Sequence, residues 1–312
     1  MDTMMALRAH QRGGPEQLVY EQAPVPVPQP GEVLVAVHAA AITFAELTWD
    51  ESWTTEDGRD RTPIIPAHEM SGTVAALGDG VSTAAVGDEV YGLIEFDRNG
   101  AAAEFVTIPA AELAAKPRTA SHLDTATLPL AALTAWQALA DQAALQAGEQ
   151  VLVLGGAGGV GVYAVQLAMA LGGQVTATGA SRDADLVRGL GAAAFVATRD
   201  TGAQPGAGRF DVVIDTVGGA ALDSAFAALR PGGRLVTLGA PPSQEQARQH
   251  GVQAMFFIVS PDAAELAHLA DLVDQGKLRA VVSQTFPLSE GRAAFESGRR
   301  ARPPGKTVLV VR

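Results

Sequence analysis

The chain has 312 residues, 47% of them hydrophobic, which supplies enough apolar material for buried cores and excludes a disordered chain. Its formal net charge of −12 disfavours nucleic-acid binding, because a phosphate backbone attracts proteins with a positive field. Cysteine is absent, which excludes disulfides, thiolate nucleophiles and Cys-ligated zinc.

The N-terminal part is predicted to be rich in β-strands, because short apolar or alternating runs are bounded there by glycine and proline. These runs are GEVLVAVHAAAI (31–42), SGTVAALG (71–78) and VGDEVYGLI (86–94). Ahead of them, proline at every second position from Pro24 to Pro30 favours an extended connector over a polyproline ligand. The N-terminus lacks the apolar run of a signal peptide, and no stretch reaches about 18 apolar residues. A cytoplasmic chain without membrane helices is therefore predicted.

From Leu128 the pattern changes, because LPLAALTAWQALADQAAL is typical of a helix that Gly148 closes. Apolar strands then alternate with helices, which predicts a mostly parallel sheet with both faces covered. The predicted strands are QVLVLG (150–155), QVTATG (174–179), AAFVA (193–197), FDVVIDTVGG (210–219), GRLVTLGA (233–240) and VQAMFFIVSP (252–261). The predicted fold class is therefore α/β, with a doubly wound parallel sheet after a β-rich part.

The stretch GGAGGVG (155–161) places Gly156, Gly158 and Gly161 in the pattern G-x-G-x-x-G, after a predicted strand and before a predicted helix. A dinucleotide-binding turn requires that context. The glycines permit a tight turn and a close approach of the pyrophosphate, which the helix N-terminus then attracts. The alternative is a turn in which glycine serves only the packing.

The next strand leads into ATGASR (177–182), without the Asp or Glu that usually accepts a hydrogen bond from the ribose 2′-hydroxyl of NAD. A carboxylate would repel a 2′-phosphate, whereas the Ser181 hydroxyl and the Arg182 guanidinium would bind it. NADPH is therefore the predicted cofactor. In the alternative, Arg182 is only solvated, and Asp183 or Asp185 replaces the missing acid.

Several motifs cover nearly the whole chain: IPAHEMSGTVAALGDGVSTAAVGDEVYG (65–92), LPLAALTAWQAL (128–139), VLVLGGAGGVGVYAVQLA (151–168), FDVVIDTVGG (210–219), LRPGGRLVTLG (229–239) and GKTVLVV (305–311). Together they resemble the medium-chain dehydrogenase/reductase superfamily, in its zinc-independent NADPH:quinone oxidoreductase (zeta-crystallin-like) branch. The resemblance implies a GroES-like β-rich catalytic domain (1–122 and 266–312) and a Rossmann NADP-binding domain (123–265), with the active site in the cleft between them. It also implies a homodimer that pairs through the strand at 252–261.

The chain departs from the zinc members of this superfamily, which have a cysteine near the stretch that reads AAAITFAEL (39–47) here. His68, Glu69 and Glu46 could hold a metal, but His and carboxylates also form ordinary hydrogen-bonded networks, and no metal site is predicted. The quinone reductase branch often has Asn where Thr43 stands. Thr43 is the first candidate for a catalytic hydroxyl that stabilises charge on a carbonyl oxygen; the alternative is a strand threonine with a local hydrogen bond.

Ligands of a doubly wound sheet bind at the carboxyl ends of its strands. The backbone at the ends of the later strands is therefore predicted to line the nicotinamide end of the cofactor. The resemblance places Thr134 there too, although a helical threonine also bonds its own backbone. The predicted cofactor-binding residues are Gly156, Ala157, Gly158, Gly159, Val160, Gly161, Ser181, Arg182, Thr134, Val217, Gly218, Gly239, Ala240, Phe257 and Val259.

The functional hypothesis is a zinc-independent reductase that transfers hydride from NADPH to a quinone or an α,β-unsaturated carbonyl. Such a reaction depends mostly on positioning, since the cofactor carries the hydride. Two alternatives stay open: an enoyl-thioester reductase and a non-catalytic NADPH-binding sensor. The partner is predicted to be a small molecule, not a nucleic acid or a membrane, and the cleft loops rather than the fold choose it.

Overall fold

The computed structural model describes residues 2–55, 57–300 and 303–312. In chain order its strands are β1 (Thr3–Ala9), β2 (Leu18–Pro24), β3 (Glu32–Ile42), β4 (Glu69–Leu77), β5 (Glu89–Leu93), β6 (Phe105–Pro109), β7 (Leu113–Ala115), β8 (Gln150–Leu154), β9 (Gln174–Thr178), β10 (Ala194–Val196), β11 (Phe210–Asp215), β12 (Leu229–Thr237), β13 (Gln253–Phe256), β14 (Val282–Pro287) and β15 (Lys306–Val310). Its α-helices are α1 (Asp50–Trp53), α2 (His122–Thr125), α3 (Ala131–Gln137), α4 (Gly161–Ala170), α5 (Ala184–Gly189), α6 (Thr198–Thr201), α7 (Ala220–Ala228), α8 (Gln244–His250), α9 (Ala263–Asp274) and α10 (Gly291–Glu296).

The chain divides into two units, one of residues 1–130 with 260–312 and the other of residues 131–259. The sequence predicts the divisions at 122/123 and 265/266, so the first unit extends further than predicted at both points. The reason is packing that a helical pattern does not reveal, since α2 packs against β3 and β4 while α9 packs against β7. Among the helices that the structure describes, none has both the length and the apolar character of a membrane span.

The first unit is built on a seven-stranded sheet in the order β14-β15-β3-β4-β5-β7, with β6 also paired to β3. A separate two-stranded antiparallel sheet joins β1 to β2. In β3, Val33, Val35 and Val37 are fully buried and alternate with half-buried residues. That alternation is typical of a strand with one face on a core, and it confirms the predicted β-rich part.

The second unit is built on a six-stranded parallel sheet in the order β10-β9-β8-β11-β12-β13. Counted from β8, this is the order 3-2-1-4-5-6 of a doubly wound dinucleotide-binding sheet, with the strand order reversing between β8 and β11. All six residues of β11 are buried, as expected for a strand covered on both faces. The predicted α/β class is confirmed.

Three strands of this sheet end several residues earlier than predicted. β11 ends at Asp215, because the Asp215 carboxylate accepts hydrogen bonds from the amides of Val217 and Gly218 and turns the chain. β12 ends at Thr237, and Thr237 pairs with the last residue of β13, Phe256. The predicted cofactor contacts Val217, Gly218, Gly239, Ala240, Phe257 and Val259 therefore lie in the segments that follow the strands and not within them.

A cluster of polar side chains lies on the first unit, around two stacked histidines. The rings of His38 and His122 have their centroids 4.1 Å apart with an interplanar angle of 20°. His122 is bonded on one side to Ser71 Oγ at 2.7 Å and on the other to Glu89 Oε1 at 3.1 Å. Burial holds the pKa of both histidines below its usual value, and for His122 the facing charge of His38 acts in the same direction. Arg312 also lowers the pKa of His38, while Glu89 raises both and Lys116 lowers that of His122.

This cluster predicts an acid-sensitive contribution to the free energy of unfolding. The unfolded chain binds a proton at each histidine near pH 6.5, while the folded chain resists it. The stabilisation is therefore fully present above about pH 6.5 and is lost as the pH falls through the lowered pKa values of the two histidines in the folded chain. Replacing His38 by Gln should reduce this loss, measured as the difference in unfolding free energy between wild type and His38→Gln across pH 7.5 to 5.

The comparison with the variant is needed because Glu112 changes the free energy of unfolding with pH in the opposite direction. Burial, followed by the charge of Glu95, raises the pKa of Glu112 to about 7, so folding favours its protonated form and stability gains from it as the pH falls. This contribution is the same in both proteins and cancels in the difference. A difference that stays constant with pH would contradict the predicted role of the histidine pair.

Candidate active site

The turn between β8 and α4 requires glycine at several positions. Gly155 has a φ of +79°, in the left-handed region that favours glycine. A Cβ on Gly156 would lie 2.7 Å from the Cβ of Ala177, and one on Gly161 would lie 2.0 Å from the carbonyl oxygen of Gly155. A Cβ on Gly158 would approach that same carbonyl oxygen at 3.2 Å and no second atom within 4 Å, so there is open space beside Gly158. The glycine pattern therefore serves both the packing of the turn and the approach of a ligand.

α4 begins directly behind this turn and is anchored firmly, since eight of its ten residues are buried. The amide of Val162 donates to the carbonyl of Gly158 at 3.1 Å, and that of Ala164 to the carbonyl of Val160 at 2.9 Å. Amides of the first helical turn thus point towards the loop from Gly156 to Val160, where the positive end of the helix dipole lies. This arrangement fits the pyrophosphate of a dinucleotide.

The turn lies at the point where the strand order reverses, beside the segment that follows β11. A Cβ on Gly155 would lie 2.7 Å from both Thr216 Oγ1 and Val217 Cγ2. Farther along the edge, a Cβ on Gly239 would lie 3.8 Å from the Cα of Gly218. The structure therefore brings the predicted residues Val217, Gly218 and Gly239 to one edge of the sheet, next to the glycine turn, where such folds bind ligands.

The buried carboxylate of Asp215 holds this edge together. One of its oxygens accepts from the amides of Val217 at 3.0 Å and Gly218 at 3.1 Å, and the other accepts from Thr237 Oγ1 at 3.0 Å. Asp215 is fully buried, so these bonds supply the polar partners that a buried carboxylate needs. Sequence reasoning did not assign Asp215 a role, although an acid at the end of an apolar strand was the signal.

The other predicted contacts on the second unit differ in exposure. Thr134 is buried in α3, and Val259 is buried beyond the end of β13, while Val217 is 57% exposed. Phe257 is half-buried in the segment after β13. A buried Thr134 fits both predicted roles, a contact at the nicotinamide end of the cofactor and a hydrogen bond to its own helix backbone.

Ser181 and Arg182 follow β9 and are exposed. The Ser181 amide donates to Asp200 Oδ2 at 2.5 Å, and Arg182 Nε lies 3.6 Å from Asp183 Oδ1. Sequence reasoning considered Asp183 and Asp185 as substitutes for the missing strand-end acid. The carboxylate that reaches Ser181 belongs instead to Asp200, 19 positions along the chain on α6, and no local pattern indicates that contact.

On the first unit, the predicted catalytic candidate Thr43 is held by a buried lysine. Lys306 Nζ donates to Thr43 Oγ1 at 3.0 Å. The same Nζ lies 2.6 Å from Glu69 Oε1, a charge pair rather than an aligned hydrogen bond. Lys306 is only 6% exposed and Glu69 1%, so the pair is withdrawn from water. The other oxygen of Glu69 accepts from the amide of Leu130 at 2.9 Å.

Sequence reasoning missed Lys306, although the signal was present. A lysine at the start of the otherwise apolar strand KTVLV is unusual, because lysine is almost never buried unless it is paired. Glu69 lies in β4 and Thr43 directly follows β3, so only the folded chain shows that Lys306 links Thr43 to Glu69.

A second buried pair joins His68 to Glu46. His68 Nδ1 lies 3.1 Å from Glu46 Oε2, and His68 Nε2 lies 3.2 Å from the carbonyl oxygen of Arg98. Both ring nitrogens face oxygen atoms, and the tautomer decides which nitrogen donates. The other oxygen of Glu46 accepts from the amide of Ala67 at 3.1 Å.

These contacts do not fit a zinc ion. Zinc needs a neutral imidazole nitrogen or other deprotonated ligands with free lone pairs, whereas Glu46 bonds His68 and Glu69 pairs with Lys306. Within the part of the chain that the structure describes, no group of three or more His, Asp or Glu side chains is placed to hold a metal. The sequence has no cysteine to replace them.

Two family models match the chain. Residues 29–118 match a model described as alcohol dehydrogenase GroES-like domain, and residues 190–309 match one described as zinc-binding dehydrogenase. The zinc in the second description does not fit the side chains described above.

The chain is similar to whole proteins as well. It is 32% identical to a probable zinc-binding oxidoreductase, mitochondrial, of Arthroderma benhamiae, over 94% of this chain and 93% of that one. It is 30% identical to the NAD(P)H oxidoreductase RTN4IP1, mitochondrial, of Danio rerio, over 90% of this chain and 84% of that one. Among solved structures, the quinone oxidoreductase from Coxiella burnetii matches with a TM-score of 0.91 and 30% identity, over 100% of both chains.

A GroES-like unit, a doubly wound sheet with a glycine turn, and these relatives define an oxidoreductase that uses a nicotinamide cofactor. The chain belongs to the medium-chain dehydrogenase/reductase superfamily, in its quinone oxidoreductase branch. The predicted family and the prediction of an enzyme are confirmed. The cytoplasmic location stays a prediction, since two of these relatives are described as mitochondrial.

Proposed function

We propose that this protein is a zinc-independent, NADPH-dependent reductase that transfers hydride to a quinone or an α,β-unsaturated carbonyl. The observation that carries the proposal is the Thr43 hydroxyl, which accepts a hydrogen bond from the buried Lys306 ammonium at 3.0 Å. The similarity to the quinone oxidoreductase from Coxiella burnetii supports a quinone as the acceptor.

The nicotinamide, when bound, supplies the hydride, and the chain supplies binding and orientation. The loop from Gly156 to Val160, at the positive end of the α4 dipole, would hold the pyrophosphate. The segments after β11 and β12, joined by Asp215, would line the nicotinamide ribose.

Hydride addition to a conjugated carbonyl leaves negative charge on the carbonyl oxygen. Because Lys306 occupies one lone pair of Thr43 Oγ1, the Thr43 O–H remains to donate to that oxygen. The adjacent ammonium strengthens this donor in a site withdrawn from water. Donors of this kind typically contribute about 2.7–4 kcal/mol to transition-state stabilisation.

Oxidation of simple alcohols is not part of the proposal. An alcohol must lose its proton, and a metal dehydrogenase lowers the pKa of the hydroxyl by binding it to zinc. The donor set of His68, Glu46 and Glu69 is engaged in other contacts and does not fit that role. A conjugated carbonyl needs only a hydrogen-bond donor, because its product anion is delocalised.

A second candidate reaction is the reduction of an enoyl thioester. The CurK enoyl reductase matches this chain with a TM-score of 0.86 and 29% identity, over 99% of both chains. The charge that develops on a thioester oxygen would be stabilised by the same Thr43 hydroxyl. The two reactions therefore differ in the substrate and not in the chemistry of the site.

The test is a parallel assay on protein that has been treated with a chelator and analysed for metal. We expect NADPH oxidation with quinones or enones, no effect of the chelator, and no NADP reduction with primary or secondary alcohols. A crotonyl thioester in the same panel separates the second candidate. Alcohol oxidation that disappears with the removal of stoichiometric zinc would overturn the proposal.

We also propose a homodimer that pairs through β13. Within the described residues, β13 pairs with β12 alone, so its other edge presents backbone groups to which a second copy could add. The exposed Ile258, with 58% of its surface accessible, follows this edge strand.

A further inference from the structure

The exposed residues that follow β9 bind a carboxylate of the chain itself. The Asp200 carboxylate accepts a hydrogen bond from the Ser181 amide at 2.5 Å. The Ser181 hydroxyl bonds the same carboxylate, and both bonds hold the pKa of Asp200 below its usual value. The charges of Arg182 and Arg199 lower it further. Ser181 therefore bonds this carboxylate, and the charges of two arginines act on it.

α6, which carries Asp200, is tied to the end of β9 by the backbone. The Arg199 amide donates to the carbonyl of Gly179 at 3.2 Å, and the Gly179 amide donates to the carbonyl of Val196 at 3.3 Å. These bonds keep Asp200 within reach of Ser181 without burying it. Because Asp200 is exposed, water solvates its carboxylate once it leaves, and the cost of displacing it is the loss of its charged hydrogen bonds with Ser181.

The groups around Asp200 are those that a 2′-phosphate would need. A phosphate binds through backbone amides, hydroxyls and guanidinium groups, and Ser181 and Arg182 are the predicted contacts. The carboxylate and the phosphate carry the same sign of charge, so both cannot occupy the Ser181 donors together. NADH has a hydroxyl in place of this phosphate and does not compete for the Ser181 donors in the same way.

We propose that Asp200 takes the Ser181 donors that the 2′-phosphate of NADPH would use and must leave when NADPH binds, so that it limits the preference for NADPH over NADH. This inference rests on the proposed cofactor. It makes Asp200 a specificity-determining residue that weakens NADPH binding, and it predicts only a modest preference for NADPH in the wild-type protein.

The experiment replaces Asp200 by Ala and measures the dissociation constants of NADPH and NADH by fluorescence titration. Asp200→Ala should bind NADPH about tenfold more tightly, as expected for removing a competing charged hydrogen bond, and should change NADH binding by less than about twofold. Asp200→Asn, which keeps the shape but loses the charge, should lie between wild type and Asp200→Ala. The gain should shrink at high salt, because the contact is exposed.

Glu245→Gln is the matched control, because Glu245 is an exposed carboxylate of the same unit, on α8, that accepts a hydrogen bond from Gln249 Nε2 at 3.2 Å. It should leave both dissociation constants unchanged. Adenosine 2′,5′-bisphosphate and 5′-AMP serve as cofactor fragments with and without the 2′-phosphate, and only the former should bind Asp200→Ala more tightly. Circular dichroism verifies that each variant is folded.

The outcomes separate the inference from the proposed function. If both dinucleotides bind and Asp200→Ala leaves their ratio unchanged or weakens NADPH, the competition by Asp200 is refuted while the reductase proposal stands. If neither dinucleotide binds any of the folded proteins, the proposed cofactor is wrong and the inference fails with it.

Discussion

Replacing Lys306 by Met is expected to lower the free energy of unfolding by about 3–5 kcal/mol, the range found when one partner of a buried ion pair is removed. Methionine fills a similar volume, so the loss comes from Glu69, which is left 1% exposed with its charge uncompensated. The bond from the Leu130 amide to the other oxygen of Glu69 does not replace the ammonium. Chemical denaturation followed by circular dichroism measures the change.

Two controls isolate the electrostatic origin of this loss. Lys277→Met changes an exposed lysine in the same way and should have almost no effect on stability. The double variant Glu69→Gln with Lys306→Met removes both charges, keeps an acceptor for the Leu130 amide, and should regain much of the loss. A double variant as unstable as Lys306→Met alone would show that the packing of Lys306, rather than the charge pair, stabilises this unit.

Replacing Thr43 by Val is expected to lower kcat by about 10²–10³, as does the removal of one donor from an oxyanion site. Valine is isosteric with threonine and removes only the hydroxyl that Lys306 holds at 3.0 Å. The dissociation constant of NADPH should not change, because the proposed cofactor contacts lie on the second unit. Steady-state kinetics with a quinone, together with a cofactor titration, measure both quantities.

Thr43→Ser should keep most of the activity, since it retains the hydroxyl. Thr48→Val is the matched control, because Thr48 is exposed and its hydroxyl bonds the local carbonyl of Ala45, at 2.6 Å. If Thr43→Val turns over the quinone at the wild-type rate, the hydroxyl is not the donor, and a backbone N–H group becomes the next candidate.

The glycine turn between β8 and α4 could be predicted almost completely from the sequence, while the contacts of the catalytic candidate Thr43 could not. The glycines of the turn are close together in the chain, and their spacing reflects contacts such as that of Gly161 with the Gly155 carbonyl. Thr43 was identified through a resemblance, but the residue that gives its hydroxyl a defined role, Lys306, is 263 positions away. No pattern of propensity or period reports a contact across that separation.

The strand ends show the same limit on a smaller scale. The apolar run of β11 predicts a strand, but the turn that ends it depends on where the Asp215 carboxylate finds its donors. The run at 252–261 predicts a strand of ten residues, whereas β13 is four residues long because β12, its partner, ends at Thr237. A strand persists only while a neighbour supplies backbone hydrogen bonds.

The sequence by itself determined the α/β class, the order of its β-rich and alternating parts and the glycine turn, because these depend on local periodicity and on the spacing of glycine. The family followed from the resemblance of several motifs. Only the tertiary structure decided which charges meet: Lys306 with Glu69 and Thr43, His68 with Glu46, and Asp200 with Ser181. Charged side chains carry no period that reveals their partners. Burial decides which of them must be paired, and burial exists only in the folded chain.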